Sequence, residues 1–272
     1  MKKLKHISLF VFLFLAAGNA ALRAQTNADY EKALTFAKES KFDSAKVFID
    51  RFVSGPNAAQ DADAWYLYGF IYQRLYRVNE LGNHKSQYRL EAKKGFDKSF
   101  AIDKTTDNIA RNREGFCSLS LSFYNSAVKT LTIAEYETSI INFEYYKQVV
   151  PLCDSTTNLK KSEIDFMMAL ATMFEDNFSL VRTDTGKCKL IDTTSFMKAK
   201  EAYNKVLMIE PLNVKANYNL GVLYHNFAVK LLMNMPPDGS IDDLICIQDM
   251  ADKLFKEAAP ISVHMYGILK DD

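Results

Sequence analysis

Glycine and proline are scarce in this chain, ten and six among 272 residues. An all-β domain draws on both for its frequent tight turns, so the scarcity argues against one. It also argues against long flexible linkers, and with 48% hydrophobic residues the composition is not that of a disordered chain. Charge of one sign is lacking as well: 34 Lys and Arg stand against 33 Asp and Glu. No basic excess is there to neutralise nucleic-acid phosphates, and no polybasic run to hold an anionic membrane. Beyond residue 17 no apolar stretch reaches the ~20 residues of a spanning helix.

Signatures of catalysis are missing too. Gly186-Lys187 lacks the upstream glycine of a phosphate loop, and there is no G-x-S-x-G, no H-E-x-x-H and no dinucleotide-binding glycine run. His84, His225 and His264 have no Cys or second His at ligand spacing, and the four cysteines fit no zinc pattern. No catalytic residue, metal or cofactor is therefore assigned. Glu175 and Asp176 fall at an expected helix end, where acids stay solvated. Asp242 and Asp243 suit the first turn of a last helix, with Ser240 as its N-cap.

What is present begins with an export signal. Lys2, Lys3, Lys5 and His6 form a basic start, Ile7 to Ala17 is apolar apart from Ser8, and small residues lead to Ala24-Gln25. Residues 1–24 read as a secretory signal peptide cut between Ala24 and Gln25. Its four basic residues, taken from 34, leave 30 against 33 acidic ones, a net charge of −3.

The remainder repeats itself. Trp65, Tyr68, Gly69 and Tyr72 recur in spacing as Asn217, Leu220, Gly221 and Tyr224. A second half-unit recurs as Phe42, Ala45, Ile49, Phe52 and Pro56; as Ala92, Phe96 and Ser99; as Tyr136, Ser139, Phe143, Tyr146 and Pro151; as Phe196, Ala199, Tyr203, Val206 and Pro211; and as Ala251, Phe255, Ala258 and Pro260. Small residues let two antiparallel helices approach, aromatics fill the hollow beside them, and the prolines are expected to end the second helix. On these motifs residues 25–272 resemble the tetratricopeptide repeat family, and in particular its exported members in Gram-negative bacteria. The resemblance implies an all-α, right-handed α-solenoid of about five antiparallel pairs, near 26–57, 61–104, 108–152, 160–212 and 213–264. Residues 79–87, 176–193 and 233–240 are insertions between the two helices of a pair.

The family binds partners in a groove lined by the first helix of each pair. Three residues before the small slots Ala33, Gly69, Ala127 and Gly221 stand Tyr30, Tyr66, Tyr124 and Tyr218; Met168 takes that place before Ala171. With Phe70, Arg74, Val128, Val222, His225 and Asn226 they form the candidate groove, and Gln73 lies nearby. Two roles are open to the tyrosines: gripping a partner, or packing between neighbouring first helices. The expected function is a non-catalytic scaffold holding a peptide or helix, in the periplasm or on the periplasmic face of the outer membrane. The alternatives are a small-ligand or glycan receptor using the tyrosines, and a structural subunit assembling through its ends by Ile261, Met265, Ile268 and Leu269. Lys and Asn are absent from the groove places where some family members clamp a carboxylate. Antiparallel helices would bring Cys117 to Cys153 and Cys188 to Cys246 as disulfides; the alternative is four buried thiols.

Overall fold

The computed structural model describes residues 28–178, 193–234 and 240–270, the last helix by its backbone alone beyond 261. The signal peptide, Gly186-Lys187, Cys188 and most of the 176–193 and 233–240 insertions lie outside the described residues. Every regular element among those described is helical: α1 (28–38), α2 (Phe42–Val53), a 3-10 turn (Pro56–Gln60), α3 (Ala62–Asn79), α4 (Gln87–Ile102), α5 (Thr106–Lys129), α6 (Tyr136–Cys153), α7 (Leu159–Asp176), α8 (Thr194–Ile209), α9 (Val214–Met233) and α10 (Ile241–Lys270). No helix among them is long and apolar enough to cross a membrane.

Local chemistry sets where these helices begin. The side chains of Asp61, Asn158 and Asn213 each accept the amide three residues on, Ala64, Lys161 and Ala216, at 2.9–3.0 Å. Each therefore satisfies one of the orphan N–H groups of a helix start. Ser240 does the same for α10, accepting from the Asp243 amide at 3.1 Å. At the ends, two prolines do not act as expected. Pro151 lies inside α6 and Pro260 inside α10. A proline removes one ladder bond, and tertiary anchoring can outweigh that loss. In α6 the turn beyond Pro151 is tied down by a Cys117–Cys153 disulfide, and the Cys153 carbonyl accepts from Arg113 Nε at 2.7 Å. Pro56 opens the 3-10 turn, and Pro211 follows the end of α8.

The chain forms two compact units. Of the described residues, the first comprises 28–130 with Glu137–Thr157, the second Leu131–Tyr136 with 158–178, 193–234 and 240–270. In the first, α2 packs on α3, α3 on α4, α4 on α5, and α3 also meets α5. α6 joins α5 through the disulfide and the stacked pair Phe123–Tyr145, with centroids 5.1 Å apart. The core gathers around Phe96. Its ring lies where a Cβ on Gly69 or Gly115 would stand, at 2.8 and 2.6 Å, so only glycine fits at either place. In the second unit α7 packs on α8, α8 on α9 and α9 on α10, around Met167, Leu170, Phe174, Phe196, Tyr203 and Phe227.

Candidate functional site

The expected groove residues separate into a packed set and an open set. Tyr30 is half-buried with its ring 5.5 Å from Phe52 of α2. Tyr66 is half-buried between Phe96 of α4, at 5.9 Å, and the Arg111 guanidinium of α5, 4.7 Å over its ring. Burial pushes both hydroxyls up from the ordinary tyrosine pKa. Phe70 contacts Phe42 edge-on and carries the Arg74 guanidinium 4.9 Å over its face. Gln73 is buried and donates to the Gly115 carbonyl at 3.3 Å, so it links α3 to α5 instead of facing a partner. Arg77 to Ser118, at 2.7 Å, and Ser122 to Tyr76, at 3.0 Å, continue that seam.

Tyr124 and Val128 belong to the open set. They are 43% and 53% exposed and stand with Leu121, 62% exposed, at i, i+3 and i+7 on α5. That spacing makes one apolar stripe on one helix face. Tyr124 keeps a ring contact with Tyr146 of α6 at 5.2 Å, which fixes it without covering it. In the second unit Val214 and Tyr218, 39% and 61% exposed, precede half-buried Val222 at steps of four on α9. His225 and Asn226 are exposed beyond them, with His225 edge-on to Phe255 of α10 at 5.5 Å. Met168, by contrast, is buried. It still borders a cavity of about 600 Å³ between α7 and the start of α9, with Ile164, Thr172, Asn213 and Lys215.

Cys117 lies in the middle of α5, which begins at Thr106. It is joined to Cys153 with Cα atoms 4.7 Å apart. Cys246 is disulfide-bonded, while Cys188 is outside the described residues. Glu175 departs from the solvated acid expected of it. It is half-buried in α7 and accepts the Tyr203 hydroxyl at 2.9 Å. Burial holds its carboxyl above the usual range, and Tyr203 is pushed up to about 12 by burial and by Glu175.

Sequence reasoning missed Arg89. Among the described residues it is the largest side chain that is fully buried, 1% exposed, and it stands on the inner face of α4 at the register of Ala92, Phe96 and Ser99. Its Nη1 donates to Ser126 Oγ at 2.8 Å and to Ser122, and its Nη2 to the His84 carbonyl at 2.6 Å and Asn142 Oδ1 at 2.9 Å. The guanidinium also lies over the rings of Phe123 and Tyr76, at 4.7 and 5.3 Å. A signal was there to be read: a charged residue heading an otherwise small and apolar helical stripe. Arg89 borders a cavity of about 370 Å³ formed by the 84–90 segment, Phe123 and the first turns of α6.

No family model matches the chain, and no curated protein matches it.

Proposed function

We propose that the chain is a non-catalytic scaffold of tetratricopeptide type, a right-handed solenoid of about five helix pairs that holds a peptide or helix of another protein. The all-helical architecture with successive helices packed as neighbours supports this reading. The observation that carries it is the apolar stripe left open on a first helix, Leu121, Tyr124 and Val128 on α5, with exposed Tyr218 and half-buried Val222 of α9 at the registers of Tyr124 and Val128. Tyrosine suits such a face because it supplies apolar area and a hydroxyl while losing few rotamers on binding. A contiguous apolar face rimmed by polar residues marks an interaction surface. Export by the N-terminal segment belongs to the same proposal and would place the partner in the bacterial envelope, where a structural disulfide persists.

The test is a crosslinking pull-down from a native envelope fraction, comparing the wild-type chain with Tyr124→Ala/Tyr218→Ala after circular dichroism has shown both folded. Tyr30 and Tyr66 are left intact because they pack against second helices. A partner captured by the wild type and lost from the variant is the expected result. A partner retained equally by both would remove the exposed stripes from the binding surface.

A further inference from the structure

Arg89 carries a full positive charge into the interior of the first unit, and among the described residues its hydrogen bonds reach no carboxylate. Its hydrogen-bond acceptors are all neutral: serine hydroxyls, backbone carbonyls and the Asn142 side-chain oxygen. Neutral acceptors satisfy N–H groups but do not neutralise a unit charge, which is costly in a low-dielectric interior. Burial accordingly pushes the guanidinium pKa down from its ordinary value, against the opposing influence of Tyr76 and Glu80. An arginine remains protonated even so.

Two donors on residues that line the cavity are unspent. Arg89 Nε and Ser86 Oγ are both buried and both without a hydrogen-bond partner, and both residues line the cavity. Ser86 is also the N-cap residue of α4 yet makes no capping bond. The positive end of a 16-residue helix therefore adds to the same field. The rest of the lining is largely apolar, with Leu90, Phe123, Ile141 and Tyr145. Lys85 and Glu137 also border the cavity and are both exposed, so one charge of each sign stands at its rim.

We propose that this cavity binds a small monocarboxylate, its charged head toward Arg89 and Ser86 and its apolar body along Leu90, Phe123 and Ile141. One buried cation balances one negative charge; a phosphate dianion would leave an excess charge beside Glu137. The volume of about 370 Å³ lies in the range of small-molecule sites. The carboxylate could belong to a free organic acid or to the C-terminus of a peptide ending in an apolar residue. The site is separate from the exposed stripes and does not rest on the scaffold reading.

The experiment is titration calorimetry with ligand-observed NMR on the intact chain, using hexanoate, hexanamide and inorganic phosphate as probes. Hexanoate should bind at least about tenfold more tightly than the uncharged amide, the difference expected for a hydrogen-bonded charge, and phosphate should not displace it. Arg89→Gln is the direct variant but threatens the fold. Ser86→Ala and Ile141→Trp avoid that difficulty, since Ser86 makes no capping bond and Ile141 is 55% exposed. Ser86→Ala should weaken hexanoate about tenfold, and Ile141→Trp, which places an indole across the cavity, should abolish binding. Equal binding of acid and amide, displacement by phosphate, no binding at about 10 mM, or indifference to Ile141→Trp would each overturn the proposal. A competing peptide with a free C-terminal leucine, compared with its amide, assigns the source. Competition by the acid alone points to a chain terminus, and competition by neither points to a free acid.

Discussion

The α3–α4 and α7–α8 pairs follow one sequence pattern and are packed in two different ways. In α3–α4 the contact is glycine on glycine. A Cβ on Gly95 would meet the Gly69 backbone nitrogen at 2.5 Å and the Trp65 carbonyl at 2.9 Å, so these backbones approach more closely than any other residue permits. In α7–α8 the same registers hold Ala171 and Ala202, both buried. The units around them differ likewise. Of the buried polar side chains among the described residues, all but Asn217 belong to the first unit. Asn108, for example, donates to the Ser99 and Asp103 carbonyls at 3.1 and 2.7 Å, and so satisfies the end of α4 from the start of α5. Directional bonds of this kind hold a geometry to one solution, whereas apolar side chains can repack. The first unit is therefore held to one geometry by directional bonds, not by its size.

Gly95→Ala breaks the comparison most sharply. The new methyl meets backbone atoms that cannot rotate away, so the loss should reach about 3 kcal/mol or more, despite the better helix propensity of alanine. Ala202→Gly in α8, the converse change, should cost only about 1 kcal/mol. Thermal unfolding of the two variants checks this, and equal losses would show that the two pairs are packed alike. Next in size is Cys117→Ser/Cys153→Ser. The disulfide closes a 36-residue separation, worth about 3–4 kcal/mol by loop-closure entropy, and urea unfolding with and without reductant should show that loss. Asn108→Ala follows, expected at about 2 kcal/mol because two carbonyls at the end of α4 lose their donor. Met167→Leu, a volume-conserving change in the apolar core of α7, should cost less than about 1.5 kcal/mol. A ranking of these two in the opposite order would remove the distinction between a polar-locked and an apolar unit.

The helices were legible because their signals are local. The Trp65-to-Tyr72 spacing, the small residues and the Ser240 cap sit within one or two turns of what they cause. The 79–87 interruption is the loop between α3 and α4. Less was legible where an effect depends on a distant partner. Pro151 was expected to stop α6, but a cysteine 36 positions away holds the turn beyond it. Glu175 was expected in water, but Tyr203 covers it from α8. Periodicity assigned one register to four tyrosines without distinguishing Tyr66, under Phe96 and Arg111, from Tyr218, 61% exposed. Exposure is settled by the neighbouring helix, and a repeat pattern does not record the neighbour.

The smallest effect tests the comparison by charge. Each pair contains a tyrosine hydroxyl on a glutamate: Tyr68 on Glu91 at 2.5 Å in α3–α4, and Tyr203 on Glu175 at 2.9 Å in α7–α8. For Glu91 burial raises the pKa, but hydrogen bonds from Lys94 and Tyr68 outweigh it and the value falls below 4.5. Glu175 has no ion pair among the described residues and burial prevails, so its value rises above 4.5. The linkage signs are therefore opposite. Glu91 contributes stability that is present above pH 4.5 and lost as the pH falls through its lowered folded value. Glu175 is favoured folded when protonated, so its contribution is full below pH 4.5 and declines as the pH rises through its raised folded value. Glu91→Gln should lower stability at neutral pH by well under about 1 kcal/mol, since that carboxylate is partly exposed and its ion pair is screened. Glu175→Gln should leave neutral-pH stability unchanged or slightly higher and flatten the decline just above pH 4.5. Urea midpoints between pH 4 and 7, at an ionic strength of about 0.15 M, separate the cases. If both variants shift the profile in the same direction, Glu175 has a cation near it in solution, and the second unit is less apolar than its packing implies.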